Sequence, residues 1–261
     1  IIRNGASDGI YMMGGNGVIT NNTFVAIGYT GGDAINLKAG VKADIAGNII
    51  FSPNTNGMKL SSSGQSETRG QLLATAYNNT ILNAGWRRDG EKGGSIYVEK
   101  NALVTVVNNL MVNCKFRTMT PKYKDPNKAD AGYDDKSVID YNFYAAGPQT
   151  TPIVGDATVG NAAEGYNQNN KNYSPNVDTH SLIATPDHLL DPGFVSCPTS
   201  SVSLTAFAYD SNWDLHLAAN SPALQGANGS VSPYFANGLQ IGNRTYTSPN
   251  VQPYFGALGT K

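Results

Sequence analysis

The chain is poor in charge. Asp, Glu, Lys and Arg together make up 14% of its 261 residues, with 18 basic and 19 acidic side chains and a net charge of -1, where a soluble domain ordinarily carries about a quarter. A surface so sparsely and evenly charged offers no footprint for nucleic acid or an anionic membrane. No stretch of 18 apolar residues occurs, so no membrane-spanning helix is encoded. Only two cysteines occur, Cys114 and Cys197. Their spacing matches no metal-ligand pattern, and they fit two buried thiols as well as one disulfide. A helical i, i+4 apolar pattern is also missing, which excludes a helix bundle or a helical solenoid. Glycine, in contrast, is abundant at 29 residues, above its usual share of about 7%. Together with frequent Asn, that composition suits short strands joined by tight turns, and the length suits one elongated repeat domain.

A repeat is present. Asp8-Gly9-Ile10-Tyr11-Met12, Asp33-Ala34-Ile35-Asn36-Leu37 and Asn56-Gly57-Met58-Lys59-Leu60 share the order polar, small, apolar, variable, apolar. Ile10 to Ile35 is a step of 25 residues and Ile35 to Met58 a step of 23, a period typical of solenoids. Gly94-Ser95-Ile96-Tyr97-Val98 is a fourth rung. Alternate side chains of a strand face opposite ways. With Ile10, Ile35, Met58 and Ile96 in a core, Tyr11, Asn36, Lys59 and Tyr97 form one outward column. Two residues ahead of the core column runs a second, of Asp8, Asp33, Asn56 and Gly94.

A second marker recurs at Asn22, Asn48, Asn79, Asn109 and Asn142, at steps of 26, 31, 30 and 33 residues. Asn tolerates left-handed backbone and bonds nearby main chain, so a stacked Asn at the bend between strands turns each coil and bonds along the stack. Asn21-Asn22-Thr23 and Asn78-Asn79-Thr80 also match the glycosylation sequon, but their recurrence with the period favours a ladder. These features predict an all-β fold, a parallel β-helix with long loops and an irregular C-terminal module. The expected division is coils over 1–147, an irregular segment packed along them over 148–190, and a β-rich tail or cap over 191–261.

Insertions lengthen particular coils: Ser61 to Gly70, then Trp86 to Gly94 with a tryptophan and three cations, then Lys115 to Lys136. Loops on one side of a solenoid commonly line its binding face. The chain opens at Ile1 as though a strand were in progress, which implies coils before it or a partner chain covering that end, as in a surface assembly. The tail carries Asp191-Pro192-Gly193-Phe194, Leu215-His216-Leu217, Ser221-Pro222-Ala223 and Gly256-Ala257-Leu258-Gly259. It resembles the C-terminal tail of many secreted bacterial β-helix proteins, which implies secretion to the periplasm, medium or cell surface. His216, among strand residues, is read as structural.

The rungs Asp8-Gly-Ile-Tyr, Asp33-Ala-Ile-Asn and Asn56-Gly-Met-Lys-Leu resemble the core of polysaccharide lyase family 9 over roughly residues 1 to 115. The members of that family are right-handed parallel β-helices that cleave acidic pectic chains by β-elimination. The resemblance implies a calcium ion on Asp8, Asp33 and Asn36, and Lys59 as the base. The chain departs from the family pattern at two places: Gly32 stands where an aspartate belongs, and Asn36 replaces a carboxylate.

The chemistry is consistent with these residue types. Removing the proton beside a uronate carboxylate requires that charge to be neutralised, as a hard cation on oxygen ligands would do, and requires an unprotonated base. Two carboxylates alone imply a loose calcium site. Lys38, Arg69, Arg87 and Arg88 are candidates to pair substrate carboxylates, and Tyr11, Trp86 and Tyr97 to stack on sugar rings. The leading expectation is a calcium-assisted lyase, of pectate or rhamnogalacturonan type, acting on an acidic polysaccharide. The alternative is a non-catalytic β-helix that binds glycan at a cell surface with a degenerate lyase site. A glycoside hydrolase ranks last, because no third acid falls in these rungs.

Overall fold

The computed structural model describes residues 1–29, 31–88, 93–118, 132–145, 177–184, 188, 190–197 and 209–261. Strand β1 (Ile2–Arg3) ends a first turn, and each later coil contributes three strands. These are β2 (Ile10–Met12), β3 (Gly15–Thr20) and β4 (Thr23–Val25); β5 (Ile35–Leu37), β6 (Val41–Ala46) and β7 (Ile49–Phe51); β8 (Asn56–Ser61), β9 (Leu73–Tyr77) and β10 (Thr80–Leu82); and β11 (Gly94–Glu99), β12 (Leu103–Val107) and β13 (Leu110–Val112). Strands β14 (Val138–Ile139), β15 (Phe143–Ala145) and β16 (Leu182–Ile183) extend the stack.

They form three parallel sheets: sheet I of β2, β5, β8 and β11, sheet II of β3, β6, β9, β12 and β14, and sheet III of β1, β4, β7, β10, β13, β15 and β16. This is a parallel β-helix. The stacking runs past residue 147, because β16 pairs in register with β15, Phe143 opposite Leu182. Part of the expected irregular segment is therefore coil; residues 148–176 of that segment lie outside the described residues.

Inside the coils, Phe24, Ile35, Ile45, Ile50, Met58, Ile81, Ile96, Val106 and Met111 make a continuous buried core. At Gly9 and Gly57 the entry to the sheet I strand is tight enough to explain the glycine. A Cβ on Gly57 would lie 2.6 Å from the Ser95 carbonyl and 2.8 Å from Ile81, so the small residue of the repeat is set by chain crossing.

The asparagine column is a continuous ladder. In Asn22, Asn48, Asn79 and Asn109, the backbone N–H and the side-chain amide both donate to the Oδ1 of the asparagine one coil on, at 2.8 to 3.1 Å. The last member, Asn142, donates its N–H to Ser181 Oγ at 2.9 Å. The left-handed residue is the one before each ladder position: Asn21, Gly47, Asn78, Asn108 and Tyr141 have φ between 48° and 66°. The Asn-Asn pairs thus divide two tasks, the first residue turning the chain and the second bonding along the stack.

Sheet III is apolar on both faces. Its outer face, Val25, Phe51, Leu82, Leu110, Val112 and Phe143, is covered by Leu215, Leu217, Ala223 and Phe255 of the C-terminal module. That module holds two antiparallel pairs, β17 (Phe194–Ser196) with β18 (Asp214–Leu217), and β19 (Leu239–Ile241) with β20 (Arg244–Tyr246). Its chain then crosses sheet II, where Val231 and Val251 pack on Ala46, Tyr77 and Val107. Asn78 and Asn108 bond the Tyr254 and Asn228 carbonyls, so the Asn78 sequon is occupied by the protein's own chain. Cys114 lies in the inner core and Cys197 packs with the outer cluster. Both are free thiols, each pushed up to about 12 by burial. Among the described residues no helix is long and apolar enough to cross a membrane.

Candidate functional site on the outer face of sheet I

The described part of the C-terminal module packs on sheets II and III. The site is the outer face of sheet I. Ile10, Ile35, Met58 and Ile96 pair in register, and Tyr11, Asn36, Lys59 and Tyr97 form the adjoining column. Tyr11 is 53% exposed. Lys38 follows β5 on the same face, its N–H donating to the Met12 carbonyl at 2.9 Å, and Ser61 pairs with Glu99. A second outward column therefore carries Met13, Lys38, Ser61 and Glu99.

The acids ahead of the strands are held by the fold itself. Asp8 Oδ1 accepts the Asp33 N–H at 2.7 Å, and Asp8 Oδ2 accepts the Asn36 side-chain amide at 2.9 Å. Asp33 Oδ1 accepts both the N–H and the side-chain amide of Asn56, at 3.0 and 2.7 Å. Burial pushes the Asp33 carboxyl up to about 6, with the Asp8 charge adding to the rise and the Asn56 bonds opposing it. Asp8, Asp33 and Asn56 are thus a second inter-coil ladder, and this accounts for polar residues one coil apart without any ligand.

A calcium ion takes six to eight oxygens. Both Asp8 oxygens and one Asp33 oxygen already accept N–H groups, and Asn36 turns its amide nitrogen toward Asp8. The Asn36 and Asn56 Oδ1 atoms are buried without partners, which leaves two neutral oxygens and one carboxylate oxygen. Among the described residues no three acidic, His or Cys groups come together. The position where the family pattern has a further aspartate is closed, because Gly32 has φ +117° and a Cβ there would lie 2.5 Å from the Ser7 carbonyl. These residues do not by themselves fit a resident calcium ion.

Lys59 and its surroundings are more telling. Its Nζ lies 3.1 Å from Glu99 Oε1 and 5.3 Å from the centre of the Tyr97 ring. The same Glu99 oxygen accepts the Ser61 hydroxyl at 3.1 Å. Burial, and then the neighbouring Glu99 charge, push the Tyr97 phenol up to about 12. Burial first and the Lys59 charge second pull the Lys38 ammonium below its ordinary range. Glu99 was not among the residues singled out from the sequence. Its signal was available, since it follows Tyr97 by two positions and so shares its face.

The remaining candidates divide. Arg69 is exposed, its Nη1 3.2 Å from Met13 Sδ and its stem over Gly40, so it flanks the column. Trp86 is fully buried and donates its indole N–H to the Asn113 carbonyl at 2.6 Å. It is a core residue with no face for a sugar. Arg87 donates to the carbonyls of Gly28, Ile27 and Ser52 at 2.7 to 2.9 Å and stitches coils together. Arg88, on the same loop, offers its carbonyl to the buried Lys115 ammonium at 2.6 Å. The expected roles of Trp86 and Arg87 at a sugar do not hold, because no local pattern tells an indole or a guanidinium facing solvent from one facing carbonyls at a coil corner.

Residues 1–130 match a family model described as a right-handed β-helix region, and the solenoid is of that type. No curated protein and no solved structure matches the chain.

Proposed function

We propose that the outer face of sheet I binds an acidic polysaccharide, pectic in the first instance, and cleaves it by β-elimination. The observation that carries this reading is the registered column Tyr11, Asn36, Lys59, Tyr97, flanked by Lys38 and Arg69. Strands in a sheet lie about 4.8 Å apart, so a sugar chain along the column would meet an aromatic ring at either end and the Lys59 side chain between, passing over Asn36, which is 7% exposed and gives its amide to Asp8. Lys59 would take the proton beside the uronate carboxylate, Lys38 and Arg69 would offset that carboxylate's charge, and the product would carry an unsaturated end. Such a substrate lies outside the cell, and the tail pattern of secreted bacterial β-helix proteins supports the same location.

A second reading, glycan binding without cleavage, is favoured by the closed position at Gly32 and by the Glu99 carboxylate that lies 3.1 Å from Lys59 Nζ. Polygalacturonate, rhamnogalacturonan, alginate and glycosaminoglycans, each tested with and without calcium, separate the two. The lyase reading expects new unsaturated ends, read by ultraviolet absorbance. It also expects Lys59→Ala to lose about a hundredfold or more in rate while keeping its fold. Binding without unsaturated ends selects the second reading, and an unchanged Lys59→Ala rate removes Lys59 as base. Calcium alone is expected to leave the melting temperature unmoved; a rise at millimolar calcium without glycan would restore a resident metal.

A further inference from the structure

Three acids, Asp8, Asp33 and Glu99, share the sheet I face with Lys38, Lys59 and Arg69, so its formal charges cancel. A polyanion would gain little there unless some of the acids were already occupied. Asp8 and Asp33 are, by N–H donors of the next coil. Glu99 is different, because its carboxylate lies on a lysine. Oε1 is 3.1 Å from Lys59 Nζ and 3.1 Å from Ser61 Oγ, and the same Nζ lies 5.3 Å from the centre of the Tyr97 ring. The two charged side chains keep 26% and 19% of their surface open to solvent, so an incoming group can reach both.

An ammonium and a hydroxyl converging on one carboxylate, with an aromatic ring under the ammonium, make the kind of pocket that receives a uronate carboxylate. We propose that Glu99 is a built-in competitor that occupies the carboxylate subsite at Lys59, so that ligand binds by displacing it and Glu99 sets how strongly the face discriminates between acidic and neutral sugars. This rests on the acidic-polysaccharide part of that reading, with Lys59 acting here as an ammonium that pairs a carboxylate and not as the base, and it adds the location of one subsite and the group that guards it. Glu99 is thus a positioning and specificity residue, and Ser61 holds it in place.

The test compares the wild-type protein, Glu99→Gln, Lys59→Met and the double variant, with calorimetric binding of a galacturonate oligomer and of a neutral galactose oligomer of matched length. Glutamine keeps the hydrogen bond to Ser61 and removes the charge. Glu99→Gln is expected to bind the acidic oligomer about threefold to fivefold more tightly, the size of a half-exposed ion pair. The gain should shrink with added salt, and affinity for the neutral oligomer should not change. The gain should vanish in the double variant, because Lys59 carries it. An unchanged or weakened acidic affinity in Glu99→Gln overturns the proposal, as does an equal gain for the neutral oligomer. If Glu99→Gln gains affinity while the wild type forms no unsaturated ends, the subsite stands and the lyase reading falls. If the wild type cleaves and Glu99→Gln gains nothing, the reverse holds. No acidic binding by any variant ends both.

Discussion

Asp33 is the residue at which stability and a charged face conflict. It is 5% exposed, it takes two N–H donors from Asn56, and it lies beside Asp8, whose charge opposes its own ionisation. Burial raises its carboxyl from 3.8 to about 6. An acid whose folded value lies above its unfolded one takes up a proton on folding between the two. This contribution therefore favours the fold at about pH 4, is lost as pH rises to about 6, and stays lost above. Asp33→Asn removes the charge and supplies an amide able to donate to Asp8 as Asn56 donates to Asp33. The variant is expected to be more stable than the wild type by about 1–2 kcal/mol at pH 7.5 and equal to it near pH 4. Urea unfolding at the two pH values checks this. A loss at pH 7.5 would mean that the negative charge serves a bound cation.

At the scale of elements, inter-coil hydrogen bonds hold the register that the site depends on. Asn109 accepts the N–H and amide of Asn79 and donates to the Asn142 Oδ1 and to the Ala76 and Val107 carbonyls, all in the core. Asn109→Ala strands the Asn79 N–H and leaves two carbonyls without that donor. Each buried group left unmade costs about 1–3 kcal/mol, so a loss of roughly 2–4 kcal/mol is expected, measurable as a lower urea midpoint. This ladder could be read in advance because an asparagine recurring with the period has one use in a stack of strands, and the outward column of Lys59 followed from the same period. What stayed hidden was partnership across coils. Trp86 and Arg87 have the composition of a binding loop, yet the Trp86 indole N–H and the Arg87 Nη groups donate to the carbonyls of Asn113, Gly28, Ile27 and Ser52, positions that no local pattern connects to them. For Glu99 the alternation of the strand shows the face, and only its pairing with Lys59 one coil away is hidden.

At the scale of the whole molecule, the described part of the C-terminal chain covers sheets III and II and not sheet I. Sheet III carries apolar residues outward and needs a cover, which the sequence hinted at only through doubly apolar strands such as Ile49–Phe51. Sheet II is joined through Asp44, a fully buried carboxylate. One oxygen accepts the Tyr234 N–H at 3.0 Å, and the other accepts the Phe235 N–H and the Ser248 hydroxyl at 2.7 and 2.6 Å. The adjacent Lys42 ammonium lies 4.8 Å from the centre of the Tyr234 ring. The partners of Asp44 are 190 to 204 residues away, so its role could not be seen in β6 alone. Asp44→Ala orphans two N–H groups and a hydroxyl in the strap but leaves the inward side of β6 untouched. Hydrogen exchange should therefore speed up by about tenfold to a hundredfold in residues 228–252, the effect of losing about 1.4–2.7 kcal/mol of local stability. Exchange in β5, β8 and β11 should stay as slow as before, and binding to the sheet I face should not change. If instead the coils exchange faster along with the strap, the C-terminal chain is an integral part of the solenoid's cooperative unit, and the open face of sheet I owes its shape to that chain as well.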